Sequence, residues 1–307
     1  MALEVTRVLA RGGIDRLLHL VTPRLCWVAF VFTHLAMMSQ SGRPSWETGE
    51  VPALLWTKHL ADSLRLMGNH SDALKIYKDL ERDNRLSFSE FFSYQACADS
   101  VGRPLSQKHE LSFLAKNGYY TDQDISTPQD YERYRRQYVK NIARLSGYDA
   151  QKSLFIRDQH LRDPRFLGTD HDDCLVVVDS LIWIDFWSYL NMHGWPDYDY
   201  AISNLLGIAQ HAIRGGLCEI SQFNALMPYI QNSVWSGKLS ASTYCYFYDL
   251  YLVFEKHAPQ RFGTVRQYDN VTLFPCTDPD TMDTERRSVG YYLSFRREKE
   301  LYGTVLP

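Results

Sequence analysis

Nothing in the 307 residues matches a Gly-rich phosphate loop, a Gly-x-Ser-x-Gly elbow or a His-Glu-x-x-His helix. The enzyme classes that announce themselves by such short motifs are therefore excluded. Six cysteines occur, Cys26, Cys97, Cys174, Cys218, Cys245 and Cys276, and no two stand as Cys-x-x-Cys. Structural zinc needs paired Cys/His spacings, and a disulfide scaffold is not expected in a chain this large, so scattered interior thiols are the expectation. No sign of charge dominates either: 33 basic against 36 acidic residues leave a net charge of -3. A chain built to neutralise nucleic-acid phosphates would be markedly basic, so no nucleic-acid partner is expected. The one sustained apolar run near the start, Leu25 to Met38, has 14 residues and contains His34. A bilayer span needs roughly 20.

What is present is a globular composition, with 45% hydrophobic and 22% charged residues, and an aromatic share of 14% that includes 20 Tyr. Length alone suggests about two domains, at roughly 150 residues each. The short apolar run follows Arg7, Arg11, Arg16 and Arg24 and precedes the small polar stretch Ser39 to Gly42. That order fits a secretory signal. Residues 1–41 are accordingly read as a leader, and the protein as exported, periplasmic or extracellular, with no membrane span in the mature chain. The alternative is an amphipathic or buried N-terminal helix in a cytoplasmic protein.

Helical spacing begins after the joint at Ser41 to Trp46. Leu60, Leu64 and Met67, then Ala73, Leu74, Tyr77 and Leu80, make two amphipathic stretches around Gly68-Asn69-His70. Together they resemble a tetratricopeptide unit. A degenerate second unit would use residues 91–101, Gly102 and residues 107–116. Repeats of this kind need about three copies to be stable alone, so residues 52–120 must lean on the remainder. Residues 121–149 contain a charged helix with Tyr131, Tyr134, Tyr138 and Ile142 at helical spacing, read as a solvated connector. Residues 150–303 form a further helical domain. In it Cys174 to Asn191 is apolar almost all round, the pattern of a central helix buried on several sides. Thr264 to Pro275 alternates like a small β-hairpin. The fold class is predominantly α: tetratricopeptide-like helical hairpins, then a helical domain with a small β-hairpin.

That last domain carries Asp158-Gln159-His160-Leu161-Arg162, Asp179, Gly194-Trp195-Pro196, Gln210-His211-Ala212, Asp249, Gln260-Arg261-Phe262-Gly263-Thr264 and Arg286-Arg287-Ser288-Val289-Gly290. In this order the motifs resemble an uncharacterised bacterial family, a domain of unknown function found alone or behind tetratricopeptide-like units. The resemblance implies a shared helical domain and no established activity. Ile182, Ile213, Leu250 and Val265 stand where that family usually has polar residues.

Chemically, Asp179 falls on the Ile182, Trp183, Phe186 and Leu190 side of its helix. A carboxylate there needs a partner, because burying a bare charge is costly. Arg162, Arg286 and Arg287 are the candidates, since a guanidinium grips a carboxylate through two parallel bonds. Asp158 and Arg162, four apart on a helix, can also pair. His211 points away from the stripe of Ile202, Leu205, Leu206, Ala209 and Ile213, toward the side of Asn204 and Gly207. Glycine within a helix costs about 1 kcal/mol relative to Ala, so Gly207 suggests room for a ligand or a neighbouring backbone. The candidate catalytic pair is His211 and Asp179. Asp158, Gln159, Arg162, Gln210, Asp249, Gln260, Arg286 and Arg287 are the candidate ligand-binding or structural cluster. His171-Asp172-Asp173 with His193 lacks a known ligand spacing, so no metal or other cofactor is expected.

Two functions compete. One is an exported interaction protein whose repeat-like helices hold a protein partner. The other is a hydrolase or lyase with His211 as acid/base, Asp179 beside it and arginines around an anionic substrate. Convergence of Asp158, Arg162, Asp179, His211 and Arg286 on one open pocket would favour the second.

Overall fold

Helices occur where the apolar periodicity places them. A computed structural model describes residues 51–119, 128–145, 147–162, 171–267 and 272–302. The leader segment 1–41 lies outside these residues, as do the side chains of His171, Asp172 and Asp173. Twelve helices are found among the described residues, and no strand.

The first pair is α1 (Ala53–Leu66) and α2 (His70–Arg82), joined by a tight turn. The Asn69 side chain accepts from Asp72 N and so caps α2. Ala73, Leu74, Tyr77 and Leu80 are the buried face of α2, as their spacing requires. The third helix, α3 (Phe88–Ser100), packs on α2 and starts with a capping box between Ser87 and Glu90. The fourth, α4 (Gln107–Lys116), meets α3 through the stacked rings of Phe91 and Phe113, 4.0 Å apart. Its main neighbour is α5 (Pro128–Ile142), which buries Tyr134 and Tyr138 and exposes its arginines.

Three helices then form the frame of the C-terminal part: α6 (Tyr148–Leu161), α7 (His171–His193) and α8 (Asp199–Arg214). The Tyr148 ring lies 6.1 Å from those of Tyr198 and Tyr200, while Asp158 reaches His211, so α6 and α8 run parallel. Gly147 abuts Tyr189 and His193 at the far end of α7, whereas Asp158 and Arg162 stand near Asp179. Hence α7 runs antiparallel to both. Packed on this frame are α9 (Ile220–Trp235) and α10 (Ala241–Phe254). The chain closes with α11 (Pro279–Ser288) and α12 (Phe295–Tyr302).

Residues 49–307 make one compact unit, and the first helices pack on the C-terminal part. The Lys58 ammonium donates to Gly237 O at 2.8 Å, and Phe88 N to the Asp199 carboxylate at 2.7 Å. A side chain at Gly290 would collide with Leu55, so glycine is what lets the C-terminal segment approach α1. Within the segment expected to be a hairpin, Arg266 and Leu273 form an isolated antiparallel bridge, and its turn lies outside the described residues.

One expectation about α7 is corrected. Asp179, Ile182, Trp183, Phe186, Tyr189 and Leu190 are buried, but the opposite face is open. Val177 is 60% exposed, Leu181 57%, Ile184 60% and Met192 73%. An apolar circumference does not distinguish a helix enclosed by its own chain from one with a face left for something else.

Candidate functional site

Of the residues singled out in the sequence, Asp158, Arg162, Asp179 and His211 do meet. The Arg162 guanidinium donates to Asp158 Oδ1 from Nε at 3.2 Å and Nη2 at 3.0 Å, and from Nη2 also to Asp179 Oδ1. Gln159 Nε2 donates to Asp158 Oδ2 at 2.7 Å. His211 Nδ1 lies 3.2 Å from Asp158 Oδ2. An ionised carboxylate only accepts, so Nδ1 is the protonated ring nitrogen in this pair. Asp158 is the hub: its side chain is all but enclosed, and Arg162, Gln159 and His211 all direct donors at it.

The two carboxylates titrate in opposite directions. Burial pushes Asp158 up, but hydrogen bonds and charge from His211 and Arg162 outweigh it and hold the carboxyl below its usual range. Burial raises Asp179, and the attraction of Arg162 and His211 does not cancel that, with Asp158 repelling in the same direction as burial. One guanidinium shared by two carboxylates favours the ion that has more donors.

Donor atoms of Asp158, Asp179 and His211 lie within 4.8 Å of one another, a set of types that could ligate a cation. Arg162 bridges both carboxylates and already supplies the positive charge between them.

Arg286 and Arg287 do not join this cluster, and the expectation of a single site is corrected. Arg286, fully buried, donates to Phe262 O at 2.7 Å, Gly263 O at 3.2 Å and Leu293 O at 3.1 Å, and pairs with Glu298 at 2.8 Å. Arg287 is exposed, its nearest partner being Thr284 Oγ1 at 3.5 Å. Asp249 accepts from Arg261 N, Phe262 N, Thr264 N and Thr264 Oγ1, all between 2.8 and 2.9 Å. Gln260 accepts from Val265 N at 2.6 Å and donates to Val265 O and Phe274 O at 2.9 Å. Asp249, Gln260 and Arg286 therefore lock one loop, residues 260–265, from three sides. A loop with so many backbone groups turned inward needs such partners.

At Gly207 one of the two expected reasons for the glycine falls away. A side chain there would meet nothing within 4 Å, so no neighbouring backbone requires the glycine. It lines, with Gln210, a cleft of about 350 Å³ that includes Asp199, Lys238 and Thr243 but not His211.

Sequence reasoning missed Asp199 and the buried Lys58–Glu90 ion pair. The Ser87-x-x-Glu90 capping signature was readable, but its pairing with Lys58 across 32 positions was not. Asp199 is buried and its Oδ1 has no hydrogen-bond partner, and burial raises its carboxyl to about 6, against the bond from Phe88 N. A carboxyl with a raised folded-state pKa contributes stability that is full below about pH 4 and is lost as pH rises through about 6. Burial raises Asp249 to about 6 as well, so both groups slope the same way. Asp199→Asn should remove roughly 2 kcal/mol of the loss in unfolding free energy between pH 4 and pH 6.5. Denaturant melts of the two proteins at several pH values check this; parallel pH profiles would contradict it.

The arrangement defines a predominantly helical protein with an Asp/Arg/Asp/His clamp across three helices and a separately locked C-terminal loop. Compared with known proteins, the chain matches no family model, no curated protein and no solved structure.

Proposed function

We propose that this protein works by protein–protein contact, as an exported helical scaffold that presents the open face of α7 to a partner. The observation that carries the reading is the stripe of Val177, Leu181 and Ile184, each more than half exposed on a helix whose other side is firmly packed. Exposed apolar surface gathered on one rigid face marks an interaction site far more often than scattered apolar residues do. On this reading the α1–α2 pair is a tetratricopeptide-like hairpin with a second contact surface at Trp56, Leu60 and Met67, all exposed. Residues 264–275 form a small β-hairpin, and the cluster around Asp158 holds α7 in place from behind. By length and composition Leu175–His193 could also cross a membrane. The charged clamp at Asp179 and the rings of Trp183 and Phe186 pack that helix into the protein instead.

A second reading, the hydrolase or lyase with His211 as acid/base, draws on one observation. Bonding through Nδ1 to Asp158 leaves Nε2 available on a quarter-exposed side chain. Against it, Arg162 is already committed to Asp158 and Asp179 and cannot also hold an anionic substrate without breaking the clamp.

The test is the mass of the native assembly, isolated under mild conditions from cells that express the full chain. Leu181→Glu with Ile184→Glu should reduce it to the mass of a single mature chain, whereas His211→Ala should leave it unchanged. An assembly that survives the double substitution would refute the reading.

A further inference from the structure

We infer that the partner covering α7 is a second copy of this chain, packed α7 against α7 about a two-fold axis with the helices antiparallel. The inference rests on the interaction reading above and names its partner.

The first support is the layout of the face. Val177, Leu181, Ile184 and Ser188 stand four, three and four positions apart, one line along the helix. The four-three-four spacing is the same in both directions about its midpoint, so in an antiparallel pair each Leu181 meets the other copy's Ile184 and each Val177 the small Ser188, whose hydroxyl is already bonded to Ile184 O. A two-fold contact requires this, since the same patch must fit itself. From Val176 to Met192 the face is about 24 Å long at 1.5 Å per residue.

The second support is polar satisfaction. Ser180 donates its hydroxyl to Val176 O, Ser188 to Ile184 O, and the Asn191 amide to Trp187 O, at 2.7, 3.0 and 2.9 Å. These three side chains thus bond back to their own helix. Covering the face strands none of these donors.

Charge and area decide between occupants. Asp185, beside Ile184, is already paired with Arg157 of α6 at 2.7 Å, so the flank is neutral. It neither repels an identical flank nor favours a strongly charged partner or an anionic lipid surface. The exposed Val176, Val177, Leu181, Ile184 and Met192 offer on the order of 500 Å² of apolar surface, and the flanking Arg157 and Asp185 bring the patch near the roughly 800 Å² per partner of a stable interface. Behind the face, Phe186, Leu190 and the clamp at Asp179 hold the backbone rigid, which limits the ordering cost of association.

Sedimentation equilibrium of the purified full chain between about 1 and 100 µM, a range that brackets ordinary dimer affinities, tests the inference. The expected mass is twice 35.7 kDa, falling to the single-chain value for Leu181→Glu with Ile184→Glu at unchanged helical circular dichroism. Should that variant fail to fold, Leu181→Cys with Ile184→Cys serves instead: oxidation should give a covalent dimer that the unsubstituted chain does not form. A purified chain that stays at single-chain mass overturns the inference. If the native assembly still dissolves on the double substitution, the interaction reading survives with a different protein as partner. A dimer that resists the glutamates and yields no cross-link lies on another face and also overturns it. So does single-chain protein that floats with phosphatidylserine-containing vesicles and loses that binding in the glutamate variant.

Discussion

Arg286→Ala is expected to cost about 3–5 kcal/mol of folding stability, the range for removing one partner of a buried charge pair. The side chain is fully enclosed, and it holds three carbonyls of two separate segments together with the Glu298 carboxylate. Truncation leaves Glu298 without its cation and the carbonyls of Phe262 and Gly263 without donors. The stacking of the guanidinium against Tyr291 and Phe295, at 4.9 and 5.3 Å, is lost with it. Arg286→Lys should fall between, because an ammonium keeps the charge but cannot reach all the acceptors in fork geometry. Urea denaturation followed by circular dichroism measures both. A cost under about 1 kcal/mol, the scale of one ordinary hydrogen bond, would show that the loop is held without the arginine.

The second large effect concerns the helix clamp. Asp158→Ala should cost about 3–5 kcal/mol, because Arg162 loses its better partner and His211 its acceptor in a nearly closed space. Asp179→Ala should cost less, about 1–2 kcal/mol, since Arg162 keeps both of its bonds to Asp158. His211→Ala, at a quarter-exposed position, should cost about 1 kcal/mol. The order of the three matters more than any single value. Asp179 costing more than Asp158 would mean that the burial of α7, rather than the hub on α6, carries the clamp.

Much of this was legible in the sequence, for identifiable reasons. The buried face of α2 follows from the spacing of Ala73, Leu74, Tyr77 and Leu80, and α8 and α9 begin where polar breaks precede apolar stripes. Asp158 and Arg162 are four apart, so their pairing is local and readable. The position of Asp179 on the packed side of α7 already demanded a cation. What the sequence could not supply was the choice among cations. Arg162 and Arg286 are equally suited to a carboxylate, and only the path of the chain gives Asp179 to one and Glu298 to the other. The burial of Asp199 is a matter of tertiary approach, and nothing local to it signals Phe88 as its donor. The α7 stripe shows the limit most directly. Val177, Leu181 and Ile184 look like core in any composition test, and only the fold reveals that no other part of the described chain covers them.

The central claim is that the outer face of α7 is a covered, working surface and that the polar cluster behind it is structural. Its most direct test is the reactivity of Ile184→Cys toward a maleimide, in the native assembly and in the diluted, dissociated chain. The buried thiols of Cys97, Cys218 and Cys245 should contribute little background while the fold holds. The account expects the new thiol to be protected by at least tenfold in the assembly and to react freely once diluted. Equal labelling in both states would mean that nothing sits on α7, and the claim would fall.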